Sequence, residues 1–134
     1  MTAGSLEERK VRDMNATLEY QRNSILSASR EKLVLLMYDG ALRNARHALV
    51  QLERGEHAEC GHSISRTFNI VSELKVTLDR EAGGDIASRL DQLYRFVMDA
   101  LVKANADRSK VHLTNAIDIM ATLREGWSGI IAGD

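Results

Sequence analysis

The chain has 134 residues, with 18 basic against 19 acidic side chains, one cysteine and no proline. That length suits one domain able to close its own core, and the near-neutral balance excludes a phosphate-tracking surface, so no nucleic-acid partner is expected. The lone Cys60 excludes an internal disulfide framework and suits a reducing cytoplasm.

The missing proline and the 4% aromatic content fit helices joined by glycine-bearing turns. The expected fold is all-α, an antiparallel up-down-up-down four-helix bundle with a flexible N-terminal arm. Residues 1–28 read as that arm, polar, poorly periodic and partly disordered. Residues 1–20 lack the apolar block of a secretion signal, so a cytoplasmic location is expected. Residues 29–134 read as the bundle.

The first helix is expected over about 30–54, with Ser29 as its N-cap and Glu31 facing the helix dipole. Leu35, Tyr38, Leu42, Ala45, Leu49 and Leu52 recur at three- and four-residue spacing, a bundle seam that ends at Gly55. The second helix, about 56–82, lines up Cys60, Ile64, Thr67, Val71, Leu74 and Leu78, with Phe68 widening the seam and Gly83-Gly84 stopping it. Asp85 can cap a third helix over about 85–105, whose stripe is Ile86, Leu90, Leu93, Tyr94, Val97, Leu101 and Ala104. Asn105-Ala106-Asp107 breaks that pattern. A fourth helix, about 109–131, aligns Leu113, Ala116, Met120, Leu123, Trp127 and Ile130. Short connections between such helices make neighbours antiparallel.

Leu33 to Tyr38 is a run of six apolar residues. At about 100° per residue, these side chains point nearly all round the helix, and one packed face cannot bury them all. The run is also far below the ~20 residues of a membrane span, so no direct membrane insertion is expected. Leu33, Val34, Leu36 and Met37 lie off the seam of the first helix, and Ile70 and Val76 off that of the second. Periodicity leaves open whether they are flank packing or an exposed patch for a partner.

Chemistry finds little support. A di-iron bundle site needs two Glu-x-x-His motifs; Glu59-Cys60-Gly61-His62 supplies one, and neither His47 nor His112 has a glutamate three residues before it. Zinc through His57, Cys60 and His62 lacks a fourth ligand and scatters its donors around a helix. No serine sits in a strand-turn-helix elbow, and Gly83-Gly84 lacks the strand and the Lys-Ser/Thr of a phosphate loop. No metal, no cofactor and no enzymatic activity are expected.

Lys32-Leu33-Val34-Leu35-Leu36-Met37-Tyr38-Asp39-Gly40-Ala41 resembles the first-helix motif of the flagellar export chaperone family FliS. The likeness continues through Asn69-Ile70-Val71-Ser72-Glu73-Leu74, Thr77 to Ala87, Leu93-Tyr94, Leu101 to Asn105 and Leu123-Arg124-Glu125-Gly126-Trp127. These fragments keep the family's order over residues 18–131.

The resemblance implies a small cytoplasmic helical bundle. Such a chaperone binds the C-terminal amphipathic segment of flagellin, prevents premature polymerisation and helps deliver the subunit to the membrane export gate of the flagellar secretion system. The alternative on the same fold is an adaptor for a different cytoplasmic partner. Leu33, Leu36, Met37, Ala41, Ile70 and Leu74 are the candidate flagellin contacts, chosen because they lie beside the seams or within the family motif. Leu18, Tyr20, Ile25 and Leu26 are candidates for a lid over the client groove or for export-gate docking. Deleting residues 1–26 is then expected to raise dye binding in the absence of client; unchanged dye binding rejects the lid.

The chain departs from the resemblance twice. Arg30 follows Ser29 where the family carries proline, a change of small consequence at a first helical turn. Residues 1–13 precede the family's usual start near Met14 and are expected to be either an extension peculiar to this chain or the product of an upstream start codon.

Overall fold

A computed structural model describes residues 6–78 and 80–133, with side-chain surroundings for all of these except 19–29, 80–82 and 130–133. The described residues are helical, without strands. They form α1 (Leu6–Glu53), α2 (His57–Val76), α3 (Arg80–Asp107) and α4 (Lys110–Gly133). Gly84, at φ 51° and ψ −125°, interrupts α3 and sets off a short first segment, 80–83, from the body 85–107. That interruption gives five helical segments among the described residues.

The chain divides into two compact units, residues 1–33 and 34–134. In the first, the helix begins at Leu6 instead of near Arg30, and Ser29 lies inside α1 instead of capping it. The physical reason is the lack of a breaker: no proline or glycine occurs between Leu6 and Gly40. Val11, Met14 and Leu18 are exposed along this stretch.

In the second unit, one core gathers side chains from all four helices. Tyr38, Ala41, Leu42, Ala45 and Ala48 of α1 meet Ile64, Val71 and Leu74 of α2, Tyr94, Val97 and Leu101 of α3, and Leu113, Ala116 and Met120 of α4. The many alanines let helix axes approach closely, since interaxial distance follows the size of contact side chains. α2 packs on α3 and α3 on α4.

Polar links fix how residues of different helices meet. Ser63 Oγ donates to Gln51 Oε1 at 2.7 Å, and a Cβ at Gly40 would sit 3.6 Å from Ile70 Cδ1. Lys75 lies 3.6 Å from Asp91, which also holds Arg95 at 2.9 Å. Lys110 meets Glu53 at 2.9 Å. The buried Thr67 hydroxyl donates to the Ser63 carbonyl at 2.9 Å, so its polar group is satisfied inside the core.

Several boundaries and faces differ from the sequence expectation. α2 ends at Val76, with Thr77 as its C-cap, rather than continuing to residue 82. The third helix runs through Asn105 to Asp107, and the chain turns at Arg108, a non-glycine residue at φ 49°. Ser109 then accepts the His112 N–H at 3.3 Å, capping α4. Ile86, expected in the third stripe, is 71% exposed, and Ala87 takes the core position beside it. Ala87 lies seven residues, about two turns, before the buried Tyr94, whereas Ile86 lies seven before Leu93 on the more exposed flank, so the buried face of this helix runs through 87 and 94.

A methyl group at Gly83 would stand 2.6 Å from Ala87 Cβ. Gly83→Ala is therefore expected to destabilise the protein by about 1–3 kcal/mol as overpacking. Gly40→Ala, with ordinary contact distance, is expected to stabilise it by about 0.5–1 kcal/mol through helix propensity. Urea midpoints of the two variants against the parent check this opposition of sign.

Candidate functional site

The six-residue run Leu33–Tyr38 is divided by burial. Tyr38 is fully buried, Val34, Leu35 and Met37 are half-buried, and Leu36 is 64% exposed. Leu33 is exposed as well and belongs to the N-terminal unit. Ile70 is half-buried and packs on the core, as does Met37. Leu36, Met37 and Ile70 are thus the reachable apolar candidates within the second unit.

Two of the expected contacts are corrected. Ala41 is fully buried and Leu74 nearly so. Both sit at core-facing positions of their helices, and their place in a recognisable motif reflects packing instead of a surface. Of the lid candidates, Leu18 is exposed; the side chains of Tyr20, Ile25 and Leu26 lie outside the described residues.

Beneath the run, Tyr38 and Tyr94 bring their hydroxyls together in a buried hydrogen bond between α1 and α3. The Trp127 indole N–H of α4 lies near enough to both phenols to favour their ionised forms, against the larger effect of burial. Three helices therefore share one polar cluster inside an apolar core, which fixes the height of the motif on α1 relative to α3 and α4. Burial is the first cause that raises both phenol pKa values above the ordinary 10.0.

Because the folded values are raised, folding favours the neutral phenols. That contribution is complete below pH 10 and is lost as pH rises through the folded values. Thermal stability is expected to fall above about pH 10, and Tyr38→Phe should flatten that alkaline fall. At neutral pH, Tyr38→Phe is expected to cost about 1 kcal/mol, the net worth of the one hydrogen bond removed. Melting temperatures of both proteins between pH 7 and 11 are the check.

On the outside, α1 and α4 border a groove of about 920 Å³ lined by Asp39, Arg43, Arg46, Arg124 and Glu125 among others. Arg124 Nε donates to Asp39 Oδ1 at 2.6 Å, and the second nitrogen, Nη2, reaches Oδ2 at 3.5 Å. That carboxylate raises the guanidinium pKa by hydrogen bonding first and by charge second.

A second groove, of about 310 Å³, runs between α2 and α3 over Ile64, Phe68, Leu101 and Val102, with Asn69 and Asn105 along it. Leu93, Ile119 and Leu123 form a smaller apolar depression between α3 and α4. Sequence reading missed the α1–α4 groove, because arginines and acids off a seam look like ordinary solvated helix surface.

Among the described residues, no three His, Cys, Asp or Glu side chains are placed to hold a metal ion, and no helix is long and apolar enough to cross a membrane. The surface offers grooves between helices bordered by exposed apolar and charged side chains. Such surfaces recognise peptides and helices.

Residues 13–134 match the family model described as "Flagellar protein FliS". The chain belongs to the FliS family. Among its FliS relatives, the flagellar secretion chaperone FliSB of Pseudomonas aeruginosa is 31% identical over 121 residues, 87% of this chain and 96% of the relative. The flagellar secretion chaperone FliS of Salmonella typhimurium is 30% identical over 109 residues, 81% of each chain. That of Campylobacter jejuni is 31% identical over 108 residues, 81% of this chain and 84% of its own. The names of these FliS relatives describe chaperones, not enzymes.

Proposed function

We propose that the chain is a cytoplasmic flagellar secretion chaperone that holds the C-terminal segment of flagellin and helps bring it to the export gate. The observation that carries this reading is Leu36, a large apolar side chain left 64% exposed in the middle of the FliS-like motif. A folded protein gains by burying such a side chain, and an amphipathic client segment can cover it at ~25 cal/mol per Å² before ordering costs. A client that is disordered when free pays that ordering on binding, which moderates affinity and permits release.

The platform for this surface is, in our reading, an antiparallel up-down-up-down four-helix bundle. Its support is the reversed order of contacts along each helix pair. Asp39 meets Arg124 while the later Glu53 meets the earlier Lys110. Gly40 approaches Ile70 while the later Gln51 meets the earlier Ser63.

Co-purification with flagellin tests the function. Intact flagellin is expected to be retained, and flagellin lacking its C-terminal ~40 residues, an interval long enough for two helices, is expected to be lost. Equal retention of both forms, or of neither, rejects the reading; retention of neither favours an adaptor for another partner.

A further inference from the structure

The α1–α4 groove carries charge that the fold does not use. Asp39 and Arg124 neutralise one another across it. Arg43 and Arg46, one helical turn apart on α1, are exposed and meet no carboxylate among the described residues. With Glu125, the groove holds three guanidiniums against two carboxylates, on a chain whose net charge is −1. Its sign is therefore opposite to that of the protein as a whole.

The same face of α1 continues to the exposed Leu36, seven residues before Arg43, and to the exposed Val50, seven after it. Seven residues are close to two full helical turns, so these side chains form one stripe. An apolar contact and two cations thus lie in a line about 15 Å long from Leu36 to Arg46, at ~1.5 Å per residue.

The opposite wall is low. α4 contributes Ala121, Ser128 and Gly129 to the groove. A Cβ at Gly129, or at Gly126 one turn before it, would find nothing of the rest of the chain within 4 Å. Neither glycine has a positive φ. Glycine inside a helix is unfavourable relative to alanine, and here neither backbone conformation nor internal packing requires it. These positions leave room for another backbone to approach closely.

We infer that this groove seats an acid-bearing helix of the exported client, with its carboxylates on Arg43 and Arg46 and its backbone against Gly129. The inference rests on the client reading above and adds the chemistry of the segment. Two guanidiniums at adjacent turns can bind carboxylates by charge-assisted hydrogen bonds, and a small-residue wall lets helix axes come near.

The test is a binding titration of the full chain with the C-terminal segment of flagellin, and in parallel with a designed amphipathic helical peptide bearing glutamates along one face. Arg43→Glu/Arg46→Glu is expected to weaken both by at least about ten-fold, as reversal of paired interface charges does. Gly129→Ala is expected to raise the melting temperature by about a few degrees and yet weaken binding. This opposite pair of effects is one that a purely structural glycine would not give.

If flagellin binds and is lost in Leu36→Asp but is unaffected by the arginine and glycine variants, the groove inference is overturned and the client reading stands. If flagellin does not bind the parent protein, the client reading fails and the designed helix decides the groove. Equal affinity of that peptide and a lysine-bearing counterpart overturns it, as does arginine-dependent capture of a single-stranded RNA in place of the acidic helix.

Discussion

Leu101→Ala is expected to lower the free energy of unfolding by about 2–5 kcal/mol, through lost burial and the cavity left behind. Leu101 is fully buried in the middle of α3, where it meets the cores of the other helices. It also forms the floor of the groove between α2 and α3. Water entering from that groove can relieve part of the cavity, which places the effect in the lower half of the range. Against a total stability of ~5–15 kcal/mol for a domain, that is a large fraction. A urea titration followed by helical circular dichroism is expected to show a lower midpoint with an unchanged slope. A midpoint within error of the parent would mean that Leu101 is not part of a closed core.

That core was the most legible part of the chain. Spacing alone picked out Tyr38, Leu42 and Ala45 on α1, Cys60 to Leu74 on α2, and Leu113, Ala116 and Met120 on α4, and the structure buries them. Helix termini were less legible where a weak signal competed with a stronger one. Ser29 is a good cap residue, but a helix already propagating from Leu6 gains a hydrogen bond per residue by continuing through it. Ile86 and Leu93, seven residues apart, share a flank beside the true buried face of Ala87, Tyr94 and Leu101, and a large apolar residue outweighs an alanine when a stripe is drawn by hydrophobicity.

Function was legible through motif likeness, and its residues only in part. Position off the seam picked out Leu36 as reachable, yet motif membership also drew in Ala41 and Leu74, which are core. The Tyr38–Tyr94–Trp127 cluster illustrates the limit. All three lie on predicted stripes, but the meeting of their polar atoms depends on the relative heights of three helices, which no single-helix period encodes.

A pair of aspartate substitutions five residues apart separates surface from core most sharply. Leu36→Asp places a carboxylate where the parent side chain is 64% exposed. Surface changes of this kind usually stay within about ±0.5 kcal/mol, so helicity and the unfolding midpoint are expected to be kept. Binding of the flagellin segment is expected to be abolished, because the client must then desolvate a charge where it would have covered a methyl-rich side chain. Ala41→Asp puts the same group at a position with no exposure. An uncompensated buried charge costs roughly 3–5 kcal/mol, so this variant is expected to unfold or to melt well below the parent, losing binding only as a consequence. Circular dichroism and flagellin titration on the two variants give four readings. Retained fold with lost binding at residue 36, beside lost fold at residue 41, is the pattern that makes Leu36 a contact and Ala41 a support. Unimpaired binding by a folded Leu36→Asp would remove the exposed motif residue from the client site.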